Sequence, residues 1–144
     1  MAVRLPGINI QQPWSQLLLD GEKKVETRTY PLPERYCNRP MWLVETPGPD
    51  RTKRAMVVGV IVFAGSKEYL SRRFFRDDFD QHLVPDDHPL FGYRAERRKF
   101  GWMVSAKMRV DAFDPGVRRG IIYTSPFPAT TSAVKIRDVE RMIR

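Results

Sequence analysis

The chain has 144 residues, of which 42% are apolar and 11% are aromatic. This length and composition suit one domain with a single hydrophobic core and exclude disordered and fibrous proteins. Lysine and arginine number 25 against 17 aspartates and glutamates, so the net charge is +8. A positive excess favours an anionic partner such as nucleic acid, although the same charge also keeps a small protein soluble.

No segment of the sequence has the features of a membrane anchor or an export signal. The longest apolar run, residues 55–65, is much shorter than the roughly 20 residues that span a bilayer. The first six residues lack the apolar block of a signal peptide. Cys37 is the only cysteine, which excludes an internal disulfide and argues against a cysteine-based zinc site. We therefore expect a cytoplasmic protein.

The first part of the chain predicts a strand, a helix and a second strand. A short strand over 7–10 leads to Pro13, which suits the first turn of a helix because its missing N–H has no partner there. The apolar face of this helix begins at Trp14. Gly21 suits a left-handed cap that ends the helix. Alternating residue types over 24–29 then predict a half-buried strand.

Four further segments are predicted to form strands, and a turn joins the last two of them. Strands are predicted over 41–46 and 56–64, and Gly59 suggests a bulge or bend in the second of them. Another strand is predicted over 100–110, and after a turn the chain forms a partner strand over 117–123. Together with the helices, these strands predict an α+β domain built on a small curled mixed sheet or open barrel.

The region between the central strands is rich in charge. Ser66 suits the N-cap of a helix that extends to about Phe79, with Glu68 in its first turn. The acidic, proline-containing stretch 80–89 predicts an exposed loop. Carboxylates and both histidines crowd into 77–88, but their spacing matches no calcium or zinc motif, so we expect no metal site.

One segment concentrates ionic groups at a single chain turn. Lys23 lies at the mouth of the turn after the helix, and Glu26 and Arg28 project from the same strand face about 6–7 Å apart. Such a group can hold a polar ligand from both sides. The alternative from spacing alone is a surface ion pair worth about 0–1 kcal/mol.

The residues around this turn resemble a known family. A Gln-Pro-Trp segment at 12–14 runs into the pattern GxKxxExR at 21–28, and this combination resembles the signature of the ASCH (activating signal cointegrator homology) family. The glycine-containing strand at 57–61 and the Phe-Gly-Trp strand at 100–104 are similar to later strands of that family. The resemblance covers roughly residues 8–123.

This resemblance implies a PUA-like fold, which is a small curled β-barrel with helices at its rim. It suggests a single ASCH-like domain over 1–144, with the signature region at 8–30 and a charged insertion at about 68–99. A short helix at about 133–144 completes the chain, and the basic face of this helix suits a protein partner. No cofactor is expected.

The resemblance also implies a cleft between the barrel and the first helix that binds RNA or a modified nucleoside. Lys23 and Arg28 are expected to meet phosphate, and Glu26 to accept a hydrogen bond from an exocyclic amine or a ribose hydroxyl. Trp14 and Tyr30 are expected to offer faces for stacking, although the helical spacing of Trp14 also favours core packing. Because these charges border a solvated cleft, we expect their removal to leave the fold intact.

Basic clusters elsewhere are candidates for contacts with phosphate around the cleft, and the alternative is that they form solvated surfaces. The candidates are Arg72, Arg73, Arg94, Arg97, Arg98, Lys99, Arg118 and Arg119.

Two other function classes stay open. Some ASCH-like proteins are hydrolases, and one bacterial branch deacetylates acetylated cytidine with the signature lysine, a threonine in place of the signature glutamate and a later glutamate. Here the corresponding candidates are Lys23, Glu26, Thr27 and Glu68. Cleavage of RNA is a related alternative, and a protein-interaction module is the third class.

Overall fold

A computed structural model of the protein describes residues 3–50, 52–116, 122–129 and 134–143. These parts of the chain form six strands and four short α-helices. In chain order the elements are β1 (Arg4–Gln11), α1 (Trp14–Asp20), β2 (Val25–Arg28), β3 (Met41–Thr46), β4 (Met56–Glu68), α2 (Arg72–Asp77), α3 (Phe79–His82), β5 (Phe100–Phe113), β6 (Tyr123–Pro128) and α4 (Ile136–Arg141), with a 3-10 turn at Glu34–Tyr36. None of the helices in these ranges is long and apolar enough to cross a membrane.

The strands form one mixed sheet in the order β2-β5-β4-β3-β1-β6. β1 runs parallel to β3, and the other four ladders are antiparallel. The sheet curls until its β2 edge approaches β1, where the side chain of Arg28 donates to the carbonyl oxygen of Asn9 at 3.0 Å. The predicted α+β class and curled mixed barrel are therefore confirmed. Within the described residues, the barrel stays open between β2 and β1.

The predicted bend at Gly59 is confirmed, and it lets α1 lie close to the sheet. The register of β4 against β5 shifts between Val57 and Gly59. A Cβ atom at Gly59 would lie 2.6 Å from Cδ2 of Leu19 and 2.7 Å from the carbonyl oxygen of Met108. Only a residue without a side chain fits between the helix and the neighbouring strand at this point.

Apolar side chains form separate clusters in the barrel and in the insertion. The largest joins α1 to the sheet and includes Leu18, Leu19, Phe63 and Trp102. A cluster within the insertion consists of Tyr69, Phe75 and Val84. Trp14 packs against both. The insertion therefore has a small core of its own, which Trp14 connects to the barrel.

The helix predicted from Ser66 is wrong in its start. β4 continues to Glu68, because 66–68 pair with the beginning of β5. The side chain of Ser66 accepts a hydrogen bond from the backbone N–H of Leu32 at 3.1 Å. The helix begins instead after Ser71, whose hydroxyl accepts from the N–H of Phe74 at 3.2 Å. Both serines have capping chemistry, and the long-range pairing with β5 decides between them.

The prediction of an exposed loop over 80–89 is wrong in part. α3 includes His82, and both His82 and Val84 are buried. The His82 ring stacks on Phe75 with the ring centroids 4.1 Å apart, and its Nδ1 accepts from the backbone N–H of Val84 at 2.9 Å. Nδ1 of His88 likewise accepts from backbone N–H groups. No metal-binding group of three His, Cys, Asp or Glu side chains occurs in the described ranges.

The last strand and helix differ in position from the prediction. In the described residues the last strand is β6, which spans 123–128 and pairs with β1; of the predicted strand 117–123, residues 117–121 lie outside the described residues. Val139 in α4 is buried, whereas Ile136 at the start of α4 and Ile143 beyond its end are 40% and 53% exposed. The apolar contacts of this segment with the sheet are made by Val139 and by Met142, which follows the helix.

We expect Gly59→Ala to lower the free energy of unfolding by about 1–3 kcal/mol, because the new methyl group collides with a backbone carbonyl that is fixed in the sheet. Urea denaturation measures this change. Gly65→Ala in the same strand is the matched control, since its Cβ would lie 3.8 Å from the nearest atom, Cε of Met103. Equal losses for the two variants would contradict the close-packing argument.

Candidate functional site

A cleft of about 510 Å³ opens where the barrel is not closed, between β1 and β2. The charged residues that line it are Lys23, Glu26, Arg28 and Lys99. Its aromatic and apolar lining includes Trp14, Tyr30, Val84, Leu90, Phe91 and Ile122. Strands, the first helix and the insertion therefore all contribute to one concave site.

The end of α1 places the signature charges at the cleft. Gly21 adopts the left-handed conformation with φ of 83°, as predicted, and its N–H donates to the carbonyl of Leu18 at 3.2 Å. The next turn is held by the N–H of Lys23, which donates to the carbonyl of Leu17 at 3.0 Å. Val25 then enters the core at the start of β2. The five residues after it, 26–30, all line the cleft.

Lys23 is buried, with only 1% of its surface exposed. Its Nζ donates to the backbone carbonyl of His82 in the insertion. The same nitrogen lies 3.8 Å from Oε1 of Glu26 and 4.9 Å from the ring centre of Trp14. Lys23 thus connects the signature strand, the first helix and the insertion at one point.

Burial changes the protonation of the cleft amines. Burial lowers the pKa of Lys23 to about 8, Glu26 opposes this shift, and the charges of Arg28 and Lys99 add to it. The pKa of Lys99 is also lowered, again mainly by burial, with Glu26 opposing the change. Lys23 therefore loses its positive charge at a lower pH than an exposed lysine does, near 8.

Arg28 is held on several sides within the protein. Its Nε and Nη2 donate to Oε2 of Glu26 at 3.2 and 3.0 Å. Nη1 donates to the Tyr30 hydroxyl at 3.1 Å, and Nη2 also donates to the Asn9 carbonyl. The guanidinium carbon lies 5.4 Å from the ring centre of Trp102. Most of the donors of Arg28 are therefore engaged before any ligand arrives.

This arrangement gives Arg28 a positioning role. Burial opposes its charge, but Glu26 and Tyr30 outweigh that effect and raise the pKa of Arg28. The guanidinium fixes the carboxylate of Glu26, which is 6% exposed, and ties β2 to β1 across the opening. From the sequence we expected that removing these charges would leave the fold intact. The contacts of Arg28 with Glu26 and with β1 instead lead us to expect that removing Arg28 destabilises the fold.

The predicted stacking residues lie at the cleft and contact other aromatic rings. Trp14 is half-buried, with Phe91 edge-on at 6.1 Å and His88 at 6.0 Å between ring centroids. Tyr30 packs edge-on against Trp102 at 5.7 Å. Trp14 therefore combines core packing with a place in the cleft lining.

The candidate catalytic residues separate into two places. Thr27 lines the cleft together with Lys23 and Glu26. Glu68 lies outside the cleft, where Nε and Nη2 of Arg98 donate to its two carboxylate oxygens at 3.0 and 2.7 Å. The hydrogen bonds and charge of Arg98 lower the pKa of Glu68 despite the opposing effect of desolvation. The structure does not bring Glu68 to the signature residues.

Three of the arginines predicted to contact phosphate form ion pairs within the protein. Arg98 pairs with Glu68, Arg72 with Asp86 and Arg73 with Asp77. A second set of candidates lies near the cleft or beyond the described residues. Arg94 and Arg97 are exposed and their charges lower the pKa of Lys99, whereas Arg118 and Arg119 fall outside the described residues.

Sequence reasoning missed that the insertion forms one side of the cleft. Val84, Leu90, Phe91 and Lys99 all come from it. The backbone N–H of Lys24 donates to the carbonyl of Gln81 at 2.7 Å and anchors the insertion on the signature segment. Apolar pairs at 83–84 and 90–91 within an acidic stretch were the available signal, since a fully solvated loop does not need them.

We expect Arg28→Met to lower the free energy of unfolding by about 3 kcal/mol, because it leaves the buried Glu26 carboxylate without its main partner. Adding Glu26→Gln to the Arg28→Met variant is expected to restore part of the lost stability, because a neutral amide is less costly to bury than an unpaired carboxylate. Urea denaturation of both single variants and the double variant gives the coupling energy. An Arg28→Met variant as stable as the unaltered protein would show that the pair contributes nothing to the fold.

Comparisons with known proteins find similarity at the level of structure. No family model matches the chain, and no curated protein matches it. The ASCH protein of Zymomonas mobilis superimposes with a TM-score of 0.63 at 9% identity, covering 96% of this chain and 92% of that one. Two mutants of ZmASCH give TM-scores of 0.63 and 0.62 at 10% and 9% identity, covering 96% of this chain and 93% and 95% of theirs. The resemblance predicted from the signature residues is thus confirmed for the architecture, and the chain has the fold of an ASCH domain.

Proposed function

We propose that the chain binds RNA and holds one nucleotide of a single strand, or a modified nucleoside, in the cleft between β1 and β2. The observation that carries this proposal is the combination of buried charges with aromatic and apolar surface in one concavity of about 510 Å³. Sites for small molecules typically measure about 300–1,000 Å³ and combine an apolar lining with a few placed polar groups. A base with its sugar and phosphate has this mixture of surfaces.

The charges of the cleft favour a ligand with a negative group. Lys23, Arg28 and Lys99 face a single carboxylate, that of Glu26. Nζ of Lys99 donates to the carbonyl of Phe91 at 3.0 Å. An ammonium group has three donors, so Lys99 keeps donors for a phosphate after its backbone contact is made. Lys23, whose side chain is buried in the wall of the cleft, contributes its positive charge.

Glu26 supplies an acceptor that distinguishes a nucleotide from a simple anion. Arg28 occupies Oε2, while Oε1 faces Lys23 at 3.8 Å. A carboxylate accepts about four hydrogen bonds, so Glu26 retains acceptor capacity for an exocyclic amine or a ribose hydroxyl. Trp14 and Phe91 line the same cleft and offer aromatic surface to a base.

We expect Lys23→Met and Lys99→Met each to weaken binding of single-stranded RNA about tenfold, since each removes a positive charge from the cleft. Fluorescence anisotropy with a labelled random-sequence oligonucleotide at low salt measures the affinity. Lys24→Met is the matched control, because Lys24 is exposed beside the cleft but does not line it. Absence of RNA binding by the unaltered chain, or an affinity that does not depend on salt, would contradict the proposal.

A second candidate function is hydrolysis in the same cleft. An amine with a pKa of about 8 lies 3.8 Å from a buried carboxylate, and such a pair suits general acid–base chemistry near neutral pH. In this alternative, neutral Lys23 accepts a proton from an attacking water while Glu26 orients the substrate. Acetylated cytidine and single-stranded RNA are the substrates to test.

The pH dependence separates binding from hydrolysis. Lys23 loses its positive charge as the pH rises through about 8, so we expect the affinity for RNA phosphate to fall over that range. A reaction that uses neutral Lys23 as the base accelerates over the same range. Anisotropy gives the first profile and chromatography of the products gives the second. No turnover in the presence or absence of divalent metal, together with a falling affinity, would eliminate the hydrolase.

A further inference from the structure

A second concavity lies beside the cleft, along the last strand of the sheet. It has a volume of about 410 Å³, and we call it the β6 groove. Its lining includes Arg35, Tyr36, Arg39, Tyr123, Thr124 and Ser125. No acidic residue of the described chain lines this groove, whereas its two arginines are exposed.

The charges of the β6 groove are not neutralised by neighbouring carboxylates. Other arginines of the protein form ion pairs, among them Arg54 with Asp114 and Arg73 with Asp77. Neither Arg35 nor Arg39 forms an ion pair within the described ranges. The groove therefore combines concave shape with uncompensated positive charge, which suits an anion.

Contact with an aromatic side chain holds one of these arginines in place, and its guanidinium has further N–H groups besides the one that faces the Tyr36 hydroxyl. The guanidinium carbon of Arg35 lies 4.8 Å from the ring centre of Tyr36. A guanidinium stacked on an aromatic face keeps its N–H groups at the edge, where they can bind phosphate in bidentate fashion. The Ser125 hydroxyl is exposed in the same groove and is a further donor suited to phosphate.

The β6 groove also adjoins the cleft. Ile122 lines the cleft and the next residue, Tyr123, lines the groove. The Tyr123 ring stacks on Tyr36 at 4.8 Å and on Trp102 at 6.3 Å, and Arg28 lies over the same Trp102. A row of aromatic rings with an arginine at each end thus separates the two concavities.

The edge of β6 is poorly suited to a protein strand. Pro126 and Pro128 lie within β6 and have no N–H groups to pair with an incoming strand. A nucleic-acid backbone has no such requirement, since it needs donors and positive charge. The composition of the groove therefore favours a phosphodiester chain over an added β-strand.

We infer that the β6 groove binds the phosphodiester backbone of the RNA strand whose nucleotide occupies the cleft. This inference rests on the proposed function and extends it, since it assigns a path for the strand past the cleft opening. Arg35 and Arg39 contact phosphates of neighbouring nucleotides. The row of rings between the two sites sets the distance between the bound nucleotide and these phosphates.

The test compares RNA of different lengths on two charge-matched double variants. Arg35→Ala with Arg39→Ala removes the groove charges, and Arg54→Ala with Arg141→Ala removes the same charge from exposed ion pairs elsewhere. Anisotropy is measured with random-sequence single-stranded RNA from dinucleotide to decanucleotide over a range of salt concentrations. Thermal melts of both variants verify that they are folded.

The groove variant is expected to bind the decanucleotide about tenfold more weakly at low salt. The slope of log affinity against log salt concentration is expected to decrease in magnitude by about 1.4, because two phosphate contacts are lost and each contributes about 0.7 on a single strand. The dinucleotide, which fills the cleft without reaching the groove, is expected to bind both variants equally. The control variant is expected to retain nearly the full slope.

Two outcomes would overturn the inference, and only the second would also overturn the proposed function. If the decanucleotide binds to the groove variant as tightly as to the control variant, while Lys23→Met still weakens binding, the groove assignment is wrong and the proposed function stands. If the unaltered chain binds RNA of no length, both proposals are wrong.

Discussion

The opening that forms the cleft depends on the partly buried guanidinium of Arg28. No ladder joins β2 to β1 in the described chain, and the two strands are linked by this side chain, which donates to the carbonyl of Asn9 on β1 and to Glu26 on β2. A direct ladder would fill the opening with backbone. The long side chain instead links the two strands and leaves a space beside it, so the same contact spans the opening and lines the cleft.

The insertion converts this opening into an enclosed site. Its own apolar cluster contacts Trp14, and its backbone receives hydrogen bonds from Lys23 and Lys24. These contacts remove Lys23 from solvent, and its lowered pKa follows mainly from that burial. The chemistry of the signature lysine is therefore a property of two distant chain segments together, and neither segment produces it alone.

Local patterns predicted the features that depend on neighbouring residues. The helix end at Gly21, the bend at Gly59 and the strand carrying Glu26 and Arg28 were all predictable, because backbone conformation and alternation decide them. The end of β4 at Glu68 was not, since its pairing partner lies more than 30 residues further along the chain. Long-range packing likewise decides the burial of 82–84 and the distance of Glu68 from the cleft.

The hydrogen bonds that the two neighbouring lysines of the signature segment make to the insertion end on the insertion's main chain. Lys23 donates to the carbonyl of His82, and the N–H of Lys24 donates to the carbonyl of Gln81. Every amino acid at those two positions supplies the same carbonyl, so these two bonds constrain the path of the insertion and not its side chains. The side chains with which the insertion lines the cleft can therefore vary without removing the acceptors of either bond.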